Sequence, residues 1–260
     1  MLMAAELSLP LVVYQGLGGR HRFNSDRHHT FILQGARDAA AELAARGVQH
    51  VMWVPRSAAE RSPLVDLARR AALVITEDFP APPFPAWTQS LAERTGRPVW
   101  AVDCACIVPM RRVPGEHDRA FRFRNETAKL FKQRAGAGWR DEESGELAAC
   151  EIDLGFAPLD LASVDIAEVC AGCDIDHSVP PIAHTPGGSQ AGYERWGAFR
   201  DHSIHRYHKR RNAAEIERSE FGVSRLSAYL QHGHVCPFRC MREAYDLKRA
   251  VSFGAVLCID

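Results

Sequence analysis

The residue types with the clearest chemical potential lie late in the chain, in Gly222-Val223-Ser224-Arg225-Leu226-Ser227. A glycine-containing turn running into a helix that begins near Ser224 leaves backbone N–H groups unpaired at the helix start. Two hydroxyls and one guanidinium stand within the same few residues. Unpaired amides and the positive end of the helix dipole attract an anion, and Arg225 adds a formal charge, so the group suits a diphosphate. The alternative from spacing alone is a capped helix with an exposed arginine.

Other clusters are less specific. Cys104/Cys106, Cys170/Cys173 and Cys236/Cys240 form close pairs among the eight cysteines. Cys170 and Cys173 have the spacing of a zinc or redox pair, but a zinc site needs a second pair of matching spacing, and none is clear. Reduced structural thiols are expected. His202, His205 and His208 recur every three residues and fall near one another on a helix. That is not a known zinc spacing, so exposed or phosphate-facing histidines are expected and no metal site is assigned.

These residues sit in a chain of 260 residues, 46% hydrophobic and 25% charged, long enough for one large domain or two modest ones. The composition excludes collagen-like, low-complexity and wholly disordered classes. Lys plus Arg equals Asp plus Glu at 32 each, so global charge points to no polyanionic partner. The distribution is uneven. Residues 141–176 hold 11 acidic side chains and no Lys or Arg, whereas residues 186–250 hold 12 Lys/Arg against 7 Asp/Glu, with five histidines. A localised basic segment is the electrostatic footprint of a phosphate-rich partner, or else a solvated helix face. No apolar run reaches the ~18 residues that would span a bilayer, and the start of the chain lacks a basic leader region. A cytoplasmic protein without a membrane partner is expected.

The elements that must position these groups alternate in type over the first 110 residues. Apolar runs at 11–14, 50–54, 72–76 and 98–102 read as strands. Helical patterns at 27–46, 63–71 and 87–94 separate them, the first with Ser25 or Asp26 as N-cap and Gly47 as its stop. Continuous apolar strands between helices predict one parallel sheet covered on both faces, with ligands beyond the strand ends at Gln15, Gly16, Pro55, Glu77 and Asp103. No G-x-G-x-x-G fingerprint accompanies it. A charged helix spans 119–134, the acidic stretch to Asp176 reads as a connector with little regular structure, and helices follow from Ser189 and from Pro237 to Ala250.

The stretch Gly222-Val-Ser-Arg-Leu-Ser-Ala-Tyr-Leu-Gln-His-Gly-His234 resembles the flavin-binding signature of the DNA photolyase and cryptochrome family, a small residue followed by S-x-L-S-P-Y-L-x-x-G. Tyr207-His-Lys-Arg-Arg-Asn212 resembles the family's Y-x-x-x-R-N segment. Asp176–Ile182 and Thr185–Ser189 resemble the entry to its helical domain, and Val13–Leu17 with Ser25–Thr30 its first strand and helix. Ala228 stands where the family usually has Pro, and Gln231-His232 replaces His-Phe. The nearest kin by these motifs are class II-like bacterial deoxyribodipyrimidine photolyases.

The resemblance implies a Rossmann-like α/β parallel-sheet N-terminal domain over 1–133, an acidic inter-domain connector over 134–185, and the first helices of an all-α FAD-binding domain over 186–260. It implies that Tyr207 contacts FAD, that Ser224, Arg225, Leu226 and Ser227 hold the flavin's phosphates and ribityl chain with Gly222 and Val223 flanking, and that Arg211 lies near a DNA-facing cavity. No residue is assigned a catalytic role. The implied activity is light-driven repair of cyclobutane pyrimidine dimers in damaged DNA by electron transfer from reduced FAD, with an antenna chromophore of unspecified identity; no protein partner is read. The family's chain continues beyond the matched region, and all five Trp here (53, 87, 100, 139 and 196) precede Ser224, so none matches the family's flavin-reducing relay. A chain truncated within the flavin domain is therefore expected, with an apolar run at 251–259 and an apolar face at Trp196, Phe199, Leu226, Leu230 and Phe238 only partly covered. The alternatives are a non-catalytic photolyase- or cryptochrome-like binding or light-signalling protein, an inactive fragment, or a nucleotide-binding α/β protein unrelated to light.

Overall fold

The structure, a computed structural model, describes residues 1–19, 21–57, 59–79, 81–113, 115–136, 147, 152–212 and 222–250. Its order is α1 (Leu2–Glu6), β1 (Val12–Gly16), α2 (Asp26–Ala44), β2 (Gln49–Trp53), α3 (Leu64–Arg70), β3 (Val74–Glu77), α4 (Phe84–Thr95), β4 (Val99–Val102), α5 (Ala120–Gly136), α6 (Ile166–Ala171), α7 (Ser189–His202), α8 (Tyr207–Arg210), α9 (Ser227–Gln231) and α10 (Pro237–Ala250). The chain divides into two compact units. The first holds Met1–Val74, Ala92–Pro98 and Asp141–Ala191, the second Ile75–Leu91, Val99–Arg140 and Gly192–Asp260. Trp139, Phe221 and the run at 251–259 lie outside the described residues.

The first unit is built on α2. Ser25 in extended backbone caps it, its Oγ accepting from the His28 N–H, and Gly47 at φ +70 ends the turn after it. Leu33 and Ala36 face Met52 of β2, Leu17 after β1, and Leu161, Ile166 and Cys170. These last three come from the stretch expected to have little regular structure. Instead, Asp165 caps α6 by accepting from the Ala167 N–H at 2.7 Å, and Leu159 N–H donates to the Met52 carbonyl at 2.9 Å. Arg37 on α2 donates from Nε to the Leu161 carbonyl at 2.8 Å and from Nη2 to that of Val164 at 2.6 Å. The stretch stands out by its 11 acidic side chains and its lack of Lys and Arg, but apolar residues within it are the ones that fill the core.

The single sheet expected from the four apolar runs is two pairs instead. β1 and β2 pair in parallel, Val12 opposite Gln49 through Gly16 opposite Trp53. β3 and β4 form a second pair in which Val74 N–H donates to Pro98 O and Asp78 N–H to Val102 O, both strands advancing together. In this second pair burial alternates, leaving Ile75 52%, Trp100 50% and Val102 46% exposed. An apolar run specifies a strand, but not whether one face or both are covered.

The second unit gathers Trp196 and Phe199 of α7, Leu226, Tyr229 of α9, Val235, and Cys240, Met241 and Ala244 of α10 into buried positions. Of the face expected to be only partly covered, Trp196, Phe199 and Leu226 are buried, while Leu230 and Phe238 are half-buried. Glu243 ties α7 to α10: it accepts from Trp196 Nε1 at 2.7 Å, Arg200 Nη1 at 2.6 Å and Arg239 Nε at 2.8 Å. Burial pushes its carboxyl up, but those hydrogen bonds prevail and hold it below the usual range. At Gly192 a Cβ would stand 2.6 Å from Val235 Cγ1 and 2.9 Å from Tyr229 Cδ1, so the glycine permits close approach of the helix to its neighbours.

Candidate functional site

Tyr207 opens α8 and is half-buried. Its ring meets Phe199 edge-on with centroids 6.0 Å apart, and Phe199 stands 6.2 Å from Trp196, which Glu243 anchors. The Arg211 guanidinium lies 5.8 Å from the Tyr207 ring centroid on an exposed position. The position of Tyr207 is therefore set by a buried aromatic series ending at Glu243. The sequence placed Trp196 and Phe199 on one apolar face but gave Glu243 no role; the i,i+4 spacing of Arg239 and Glu243 was the available signal.

The 222–227 segment is a turn rather than a helix start. Arg225 sits in the left-handed region at φ +53, which a right-handed helix excludes, so α9 begins at Ser227 and not near Ser224. Gly222 and Leu226 are buried, Ser224 is half-buried, and Val223, Arg225 and Ser227 are exposed. Leu226 and the fully buried Tyr229 anchor the turn, with Leu230 N–H donating to the Leu226 carbonyl at 2.9 Å and His234 N–H to that of Tyr229 at 2.8 Å. Ser224, Arg225 and Ser227 bring two hydroxyls and a guanidinium to this turn, the last two on exposed positions. The five residues of α9 give only a small dipole, so a ligand here would rely on those side chains and local amides more than on the helix. Tyr207 and Arg211 share the second unit with this turn. The ring contacts of Tyr207 are with Phe199 and Arg211, and no hydrogen bond joins it to residues 222–227.

Three other sequence-derived candidates resolve differently. α7 ends at His202, Ser203 breaks the helix at φ −125, and a 3-10 turn over Ile204–Arg206 precedes α8, so His202, His205 and His208 do not share one continuous face; all three are exposed. Cys170 and Cys173 are buried free thiols, and burial pushes both up in pKa. Among the described residues no group of three or more His, Cys, Asp or Glu is arranged to hold a metal ion. At the strand ends, burial and neighbouring Asp103 push the Glu77 carboxyl up, while Asp103 Oδ1 accepts from the Ala105 and Cys106 N–H groups at 3.2 and 2.8 Å. The N-terminus of α2 offers no phosphate cradle, because its first amides are taken: Asp26 N–H by Asp176 O, Arg27 N–H by Val179 O and His28 N–H by Ser25 Oγ.

Ser224, Arg225 and Ser227 together offer one cation and two hydroxyls, groups able to meet an anion. No protein-family model and no curated protein matches the chain. Solved structures do. The chain is similar to an archaeal photolyase from Sulfolobus tokodaii, described with two FAD molecules, at 16% identity and a TM-score of 0.55. It is similar to a bacterial class III photolyase from Agrobacterium tumefaciens at 13% identity and a TM-score of 0.63. Each match covers 94% of this chain but 49% and 48% of the other, so the chain spans about half the length of these structures. The fold is photolyase-like, an α/β part followed by helices. No helix among the described residues is long and apolar enough to cross a membrane.

Proposed function

We propose that this chain is a photolyase-type flavoprotein acting on damaged DNA, with 1–133 as the α/β part, 134–185 as the connector and 186–260 as the first flavin-side helices. What carries the reading is that a chain bearing the Tyr207 and Gly222–Gly233 motifs takes a photolyase-like fold over 94% of its length. Ser224, Ser227 and Arg225 would hold the pyrophosphate and ribityl chain of FAD, Gly222, Val223 and Leu226 would shape the turn, and Tyr207 would contact the cofactor. When bound, reduced FAD supplies the electron that opens the cyclobutane ring of a pyrimidine dimer. Arg211 and the basic 186–250 segment would hold phosphates of a strand from which the lesion is turned out. The motifs favour a class II-like member, and a cytoplasmic location and an antenna chromophore of unspecified identity belong to the same proposal; the chain matches about half of a photolyase, which supports reading it as part of a longer enzyme. The second reading, a non-catalytic binding or light-signalling protein, draws on α9 being only five residues long.

Flavin retention tests the assignment. Purified chain titrated with FAD should quench flavin fluorescence, and Arg225→Ala and Ser227→Ala should each weaken binding about tenfold, the scale of one lost charged hydrogen bond. Equal affinity in both variants and the parent removes the site. Binding to an oligonucleotide carrying a thymine dimer should fall steeply with salt, and Arg211→Ala should weaken it several-fold and flatten that dependence by about one phosphate contact. An unchanged salt slope in Arg211→Ala counts against a DNA-facing arginine.

A further inference from the structure

α5 combines two features that neither the flavin reading nor the basic C-terminal segment accounts for. Ala120–Gly136 carries five Lys/Arg against one Glu. Its buried side is held by Thr127 and Ala135, with Thr127 Oγ1 donating to the Phe123 carbonyl at 2.8 Å. On its solvent side Phe121 is 51% exposed, with Arg124, Lys129 and Lys132 exposed around it, while Phe123, 37% exposed, lies on the Thr127 side of the helix. Arg122 is paired with Asp118 at 3.0 Å, whereas Arg124, Lys129 and Lys132 have no carboxylate partner among the described residues. Phe121, Lys129 and Lys132, at i, i+8 and i+11, fall on one stripe. Phe123 is propped from beneath by the His117 ring, edge-on with centroids 5.6 Å apart.

Phenyl rings are costly to leave in water on a helix, and a solvated charged face has no need of them. An exposed ring set among uncompensated cations matches the chemistry of a strand that offers both phosphates and unstacked bases. Duplex DNA hides its base faces, and an acidic protein surface offers none. We infer that the outer face of α5 is a docking surface for single-stranded nucleic acid, the cations meeting phosphates and Phe121 stacking on a base. The stripe from Phe121 to Lys132 is about 16 Å long, room for about four or five stacked nucleotides.

The test uses the full chain and a fluorescein-labelled dT16 oligonucleotide, read by anisotropy across a salt series. The Lys129→Gln/Lys132→Gln double variant should bind more weakly and lose about 1.4 from the log–log salt slope, two single-strand contacts. Phe121→Ala should weaken dT16 about tenfold yet leave binding of an abasic 16-mer of the same charge unchanged. All substituted side chains are exposed, and circular dichroism identical to the parent confirms that the fold is retained. The inference is overturned if the double variant keeps the parent affinity and slope, or if the abasic strand or polyglutamate of equal charge binds the parent as tightly as dT16.

Discussion

Gly187→Ala is expected to cost about 3 kcal/mol or more, the range of forced overpacking against backbone. Pro186-Gly187-Gly188 lies flush on α2: a Cβ at Gly187 would overlap the Phe31 carbonyl, and one at Gly188, already at φ +111, would overlap the Asp38 carboxylate. The obstacle at Phe31 is main-chain atoms inside a helix, which cannot swing aside as a side-chain end can. The close approach also supports polar contacts that displacement would break: Gly187 N–H donates to Gln34 Oε1 at 2.6 Å, Ser189 Oγ to Glu42 Oε1 at 2.7 Å, and Gln190 N–H to Asp38 Oδ2 at 3.2 Å. Gly197, in the interior of α7, has open space around its Cβ position, so Gly197→Ala should stabilise by about 0.5–1 kcal/mol. Urea denaturation followed by circular dichroism compares the two. A Gly187→Ala midpoint equal to the parent's would show that the contact is not as close as described.

The second large effect is acid lability in the first unit. His29 is 1% exposed in α2 and its Nδ1 has no hydrogen-bond partner. Burial first, and neighbouring His28 second, lower its pKa to about 4, with Asp26 opposing. His28 is shifted the same way by burial and by His21. A histidine whose folded pKa lies below its unfolded value binds its proton more readily in the unfolded chain. Its stabilising effect is therefore complete above about pH 6.5 and is lost as pH falls toward 4. The full loss is about 3 kcal/mol, the cost of taking the imidazole from its ordinary value of 6.5 down to about 4. Unfolding free energies measured from pH 7 to pH 4 should fall steeply in the parent and less steeply in His29→Leu, by most of that amount. Parallel curves would exclude His29 as the source.

The strands and the longer helices could be read from the sequence because short-range physics sets them. Ser25 caps α2 since its hydroxyl reaches an amide three residues on, and Gly47 ends it since it accepts positive φ. Pro237–Ala250 forms as expected from its pattern. The residues of the candidate flavin site were named through motif resemblance and not through any local rule, and the local rule erred there: a turn before a helix predicted a start near Ser224, but Arg225 takes a left-handed conformation that delays it to Ser227.

Long-range pairing decided the rest. Leu161, Ile166 and Cys170 sit in a stretch whose 11 acidic residues mask its core role, and only α2 packing against them reveals it. The apolar runs at β3 and β4 gave strands, but which strands pair and which faces stay open depends on neighbours distant in sequence. The same is true of Glu243: sequence places it four residues after Arg239, while its bonds to Trp196 and Arg200 arise only when α10 meets α7. Composition and periodicity thus determined the elements and the local caps, and tertiary packing alone decided which side chains became core, clamp or exposed surface, because burial is a property of the partners a segment meets and not of the segment itself.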